Sequence, residues 1–254
     1  MTLTSTIFLI FLLAFLGSFI QRVSGFGFGV FVMMFLPFII PTLGEAATVS
    51  GLLAMTASLI VAIKHWKHIQ WKSMLLLLLT NAIVSFISIH FMAGMANENL
   101  ENLLGIILIV LAIYSLANQW YKETKTTPAS EKAEPLKHQN LFQILAGAIG
   151  GITGGMFGMP GPPIVIYCIE AIHSKEAYVA TIQAIFFGSN VFYTIFRAKA
   201  GFFTENTASY WLFGLVGLIL GTILGARLFD KISGPHLRKL VYILMLVSGI
   251  VTLF

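Results

Sequence analysis

The chain has 254 residues, of which 57% are hydrophobic and only 10% charged, with a mean hydropathy of +0.90; soluble domains carry about a quarter charged residues, so an ordinary soluble globule is excluded. The net charge of +5 does not mark a nucleic-acid binder, because most Lys and Arg stand beside the ends of apolar runs, where membrane topology places them. Cys168 is the single cysteine, which rules out an intrachain disulfide, a CxxC redox pair and a thiolate metal cluster.

The first apolar run, near Leu3–Ile20, has no basic start and no small-residue cleavage pattern behind it. It therefore reads as a membrane helix rather than a signal peptide. Further apolar segments follow near Phe28–Ile40, Glu45–Ile63, Ser73–Met95 and Leu100–Trp120. The stretch Tyr121–Gln139 gathers mixed charge and two prolines, the composition of a solvated linker. Beyond it come segments near Asn140–Thr153, Pro162–Ile172, Glu176–Arg197, Thr207–Phe229 and His236–Phe254. The expected fold class is all-α integral membrane, with about eight to ten helical segments. One membrane half covers residues 1–120, a cytoplasmic linker covers 121–139, and a second half covers 140–254.

The halves correspond in kind. Each opens with an apolar stretch running into a glycine-rich break, Ser24–Gly29 in the first and Gly154–Pro163 in the second, and then a segment too short for an ordinary span. Each continues with a Glu-Ala start, at Glu45 and Glu176, and Ser50 and Ser58 match Thr181 and Ser189 at the same offset. Lys64, Lys67 and Lys72, with His65 and His68, place one loop in the cytoplasm, and Glu98 and Glu101 suit the opposite side. An odd number of segments per half then makes the repeats inverted. Arg227, Lys231, Arg238 and Lys239 fall inside on this topology, whereas Arg197 and Lys199 fall outside, against the positive-inside rule.

A helix interrupted within a membrane is tolerated only where the break lines a cavity or is buried in protein. The two breaks are therefore expected to face each other, presenting helix N-termini to an anion near the midplane. The same glycines would also serve close helix packing. The run Ile20–Gly29 followed by Pro37, together with Gly154–Pro163 and the Gly225–Leu228 turn, resembles the sulfite exporter TauE/SafE family of membrane transporters. The resemblance spans the chain and implies secondary transport of anions such as sulfite, sulfonates or related organosulfur and carboxylate compounds.

Candidate substrate-binding residues cluster at the breaks. In the first half they are Gln21, Arg22, Ser24, Gly25 and Gly27; Arg22 offers a bidentate guanidinium to a sulfonate, or else snorkels to the interface. In the second half they are Thr153, Gly158, Gly161, Tyr167, Gln183, Asn190 and Tyr193, with Gln183 and Asn190 two turns apart on one helix face. Asn81 is a lone amide in the fourth segment, and each of these polar groups has helix–helix hydrogen bonding as its plainer role. Glu45 and Glu176 suit helix N-termini, while His90 and His173 read as interfacial. No Ser-His-Asp order, HExxH or P-loop pattern is present, so the chain is expected not to be an enzyme or an ATP-driven pump. No cofactor or metal is expected. The expected partners are a small anionic substrate and the lipid bilayer, with a homodimer left open and no nucleic acid. A passive anion channel and a membrane subunit of a larger complex are the alternatives.

Overall fold

A computed structural model describes residues 3–24, 27–124, 139–172, 174–228 and 234–253. Gly25, His173, Lys231 and the centre of the expected linker lie outside them. Among the described residues the regular structure is entirely helical, with ten α-helices. They are α1 (Leu3–Ser24), α2 (Phe28–Met33), α3 (Leu43–Lys64), α4 (Trp71–Ala93), α5 (Asn97–Thr124), α6 (Gln139–Phe157), α7 (Gly161–Ala171), α8 (Lys175–Lys199), α9 (Thr207–Leu228) and α10 (Gly234–Leu253). Helix α5 runs past Trp120 to Thr124, into the stretch that composition assigns to the linker.

Local chemistry accounts for several boundaries. A proline ring clashes with the carbonyl four residues earlier and offers it no N–H; Pro37 stands four residues after Met33, where α2 stops and a short 3-10 turn, Leu36–Phe38, takes over. The neighbouring Met34 carbonyl instead accepts a hydrogen bond from the Ser248 hydroxyl of α10 at 2.9 Å. Helices α3 and α8 begin with side-chain caps, the Thr42 hydroxyl accepting from the Glu45 N–H and the Ser174 hydroxyl from the Ala177 N–H.

Seven helices, α1, α3, α4, α5, α6, α8 and α9, are long and apolar enough to cross a membrane. In their most apolar stretches α3, α6 and α8 are 50–56% buried, against 28–39% for the other four, so these three form the centre of the bundle. The outer helices turn large apolar side chains outward, as α4 does with Leu75, Leu79, Ile83, Phe86 and Ile87. A water-exposed surface rarely shows so continuous an apolar face, whereas lipid requires one. Trp66 and Trp71, exposed beside Lys67 and Lys72, have the position of an interfacial aromatic belt.

Small residues set the helix pairing. On α9, Gly214, Gly217, Gly221 and Gly225 pack in turn against Ile10, Phe11, Phe15 and Phe19 of α1, so these helices run parallel. On α6, Gly147, Gly151 and Gly155 pack against Leu77, Asn81 and Ser85 of α4, again in parallel. By contrast α3 and α8 run antiparallel, with Gly44 on Phe202, Ala47 bonded to Arg197 and the Gln70 N–H bonded to Thr181. Gly105 and Ile109 of α5 likewise meet Leu253 and Gly249 of α10 in antiparallel order. Exchanging each helix for the one five places along converts the α1–α9 pair into α6–α4 and leaves the α3–α8 and α5–α10 pairs unchanged.

Candidate functional site

Both interruptions turn on one glycine in the left-handed region. Gly27 precedes α2 at φ 102° and Gly158 follows α6 at φ 68°, and the interval between them equals that between Glu45 and Glu176. A side chain at either φ is strained, which explains the glycine. At α6 the turn is a left-handed cap: the Gly158 N–H donates to the Gly154 carbonyl at 2.9 Å, and the Met159 N–H to the Thr153 carbonyl at 3.2 Å.

The two breaks touch. A Cβ placed on Gly29 would collide with the Gly158 carbonyl oxygen, so the first turn of α2 lies directly against the turn at the centre of the second break. Between them is a cavity of about 40 Å³, lined by both breaks (Gly27 to Val30 and Gly158 to Gly161) and by Gln21, Ala54, Ser58, Phe186 and Asn190. That is room enough for ordered water or a small ligand. Gln21, Ser58 and Asn190 supply its side-chain polar groups, and α2 and α7 begin at it without side-chain caps. First-turn N–H groups have no acceptor within their own helix, so the α2 side of the wall offers donors at Phe28, Gly29 and Val30. The Asn190 amide donates to the Phe186 carbonyl at 2.8 Å, while its Oδ1 is buried without a hydrogen-bond partner. A polar atom left in that condition is costly unless water or ligand meets it.

Of the residues singled out from sequence, Gln21, Gly27, Gly158, Gly161 and Asn190 line this cavity. Gly25 and the Ser24 side chain fall outside the described residues. Arg22 is exposed, its stem packed on Gly225 of α9 rather than directed to the cavity. The Thr153 hydroxyl donates to the Ile149 carbonyl of its own helix at 3.0 Å. Tyr167 ties α7 to α4 and α6, donating to the Ser73 carbonyl at 2.9 Å and accepting from the Gln143 amide at 2.8 Å. The Tyr193 hydroxyl donates to the Gly150 carbonyl at 3.1 Å. Gln183 is buried with Oε1 unpartnered, about 10 Å along α8 from Asn190 and beyond the cavity lining.

Sequence reasoning missed Ser58 as a cavity residue, although its match to Ser189 had drawn attention to it. The larger miss is Arg197. Read from sequence as an external charge at the end of its segment, it is instead 1% exposed inside α8, which removes it from the topology count. Its failure to obey the positive-inside rule was the available signal.

The family model described as "Sulfite exporter TauE/SafE" matches residues 10–252. The chain is 21% identical over 230 residues to a probable sulfite/organosulfonate exporter of Cupriavidus necator, covering 89% of this chain and 85% of that protein. It is 25% identical over 264 residues to a probable membrane transporter protein of Methanocaldococcus jannaschii, covering 95% and 93% respectively. No solved structure matches the chain. With seven helices suited to crossing a membrane and a family match along nearly its whole length, the chain belongs to the sulfite exporter TauE/SafE family of membrane transporters.

Proposed function

We propose that this protein is a secondary transporter that moves a small sulfur-containing or organic anion, a sulfite, sulfonate or related carboxylate, across the cytoplasmic membrane of a bacterium. The observation that carries this reading is the cavity walled by both helix breaks, each contributing the uncapped start of a helix. Oriented N–H groups and positive helix ends favour an anion over a cation there. The relative from Cupriavidus necator, named as a sulfite/organosulfonate exporter, supports the substrate class.

The two halves are inverted repeats in this reading, supported by the antiparallel pairing of α3 with α8 and of α5 with α10. Each half supplies one wall of the site, so rocking one against the other opens it to alternate sides. Saturable exchange, rather than continuous conductance, is what this alternation between the two walls requires. The membrane potential drives export without further coupling, because moving one negative charge out of a cell is favoured by about 2.3 kcal/mol per 100 mV.

The test is thermal stabilisation of the purified protein by sulfite, sulfonates, thioether carboxylates and plain carboxylates, followed by efflux from proteoliposomes. A ligand of the folded state raises the melting midpoint. Stabilisation by one anion class, with saturable efflux of that class, is expected; no shift with any anion, or non-saturating conductance, would overturn the reading.

A further inference from the structure

Arg197 lies one helical turn past Tyr193 on α8, fully enclosed, with its guanidinium 5.7 Å from the Tyr193 ring centroid. Each hydrogen bond the group makes among the described residues goes to a backbone carbonyl. Nη1 donates to Ala47 of α3 at 2.6 Å, Nη2 to Gly154 and Gly155 of α6 at 2.8 and 2.7 Å, and Nε to Gly155 at 3.2 Å. Gly155 needs this donor, because the Met159 N–H that would continue the helix turns to Thr153. The absent side chain of Gly51 leaves the space for Nη1, which lies 2.9 Å from the position a Cβ would take there. Asn190 Oδ1 is 3.3 Å from the same point, so the guanidinium and a cavity-lining residue both border Gly51.

A buried charge is costly unless paired, and ionisable groups inside membrane helices mark function more often than structure. This one is paired with oxygens of a particular kind: the carbonyl end of an interrupted helix and one carbonyl from a central helix opposite. Inverted-repeat transporters use that arrangement to coordinate a coupling cation, because half-helix C-termini are negative and their last carbonyls are unbonded. We propose that Arg197 is a tethered cation, its guanidinium filling the carbonyl cage in which a free coupling ion would otherwise sit. The cage is then permanently occupied, anion movement is independent of Na⁺, and a fixed positive charge backs the cavity. The consequence for transport rests on the carrier reading above; the occupancy of the cage does not.

The full-length protein is purified in detergent, and melting is followed in Na⁺ and in choline. For the wild type, replacing Na⁺ by choline leaves the midpoint, and its rise with sulfite or isethionate, unchanged; Na⁺-dependent stabilisation would overturn the proposal. Arg197→Ala empties the cage, and its midpoint falls. Millimolar guanidinium or ethylguanidinium then restores about half of that loss or more, as binding to the folded state requires, while choline does not. A midpoint indifferent to guanidinium and Na⁺ alike would sink the idea. Should Arg197→Ala not survive purification, Arg197→Lys is compared with Arg197→Gln. The charged variant retains Na⁺-independent sulfite efflux about 10-fold above the neutral one, the equivalent of one charge-assisted hydrogen bond, and equal efflux would again overturn it. If no anion stabilises the wild type, the carrier reading fails, while guanidinium rescue remains readable by melting alone.

Discussion

The two helix breaks solve the same geometric problem with different chemistry. At the first, Gly27 turns the chain into α2, whose first-turn residues Phe28, Gly29 and Val30 all retain their N–H groups and all line the cavity. At the second, α7 opens with Gly161, Pro162 and Pro163, so two of its first three residues have no N–H to offer. The carbonyl end of α6 is meanwhile closed by the Gly158 cap and by Arg197. The residue that stands where Arg197 would fall in the first half, Trp66, is exposed. On the proposed anion-carrier reading, donors therefore come mainly from the first break, and the second is a clamped surface opposite it. The two halves therefore offer the cavity different chemistry.

That contrast is most strongly tested where the breaks meet. Gly29→Ala drives a Cβ into the Gly158 carbonyl, a backbone-on-backbone conflict without a flexible side chain to yield. The expected loss is about 3 kcal/mol of stability, the upper end for overpacking, with anion stabilisation abolished in melting assays. A smaller effect separates the two turn glycines. At Gly158 an alanine meets both the left-handed strain and the Ala47 carbonyl at 3.3 Å, an oxygen already bonded to Arg197. At Gly27 the strain stands alone, because a Cβ there meets nothing within 4 Å. Gly158→Ala is expected to cost about 2 kcal/mol and Gly27→Ala about 1 kcal/mol, measured as a difference in denaturation midpoint. Equal costs would remove the clamped-versus-open distinction.

How much of this was legible in the sequence follows from which interactions are local. The helix interruptions announced themselves through glycine and proline, since φ preference and a missing N–H belong to the residue itself. Pro37 fixes the end of α2 in the same way, and Thr42 and Ser174 cap helices from within their own first turns. The meeting of the breaks was inferable because an interrupted membrane helix needs burial. The role of Arg197 was not, because its partners come into being only when α6 has ended and α3 and α8 have crossed beside it. The same applies to Tyr167 and Tyr193, polar side chains whose hydroxyls meet carbonyls on other helices. Sequence reports that such a group must find a partner, and only packing decides whether the partner is backbone or substrate.

Asn190 lies on the boundary between those cases. Its amide N–H is committed to Phe186 and its Oδ1 is buried without a partner, so Asn190→Ala removes one hydrogen bond within α8 and one unpartnered polar atom of a cavity-lining residue. A fall in anion affinity of about 5- to 10-fold, equivalent to roughly 1 kcal/mol, is expected in the melting titration. Unaltered affinity would place the anion elsewhere.

The smallest effect is expected at Arg22, the residue whose chemistry looked best suited to a sulfonate. It is exposed at the end of α1, and Cβ and Cγ of its stem lie against Gly225, so its charge can leave without disturbing the breaks. Arg22→Ala is expected to stay within about 0.5 kcal/mol of the wild type in stability, as surface substitutions do, and to leave the anion titration unchanged. Setting it beside Arg197→Ala compares two guanidiniums on helices that flank the same cavity, one facing outward and one enclosed by carbonyls. If Arg22→Ala abolished anion stabilisation while Arg197→Ala preserved it, the positive charge of the site would lie beside the first break with its N–H donors, and Arg197 would be a structural clamp alone.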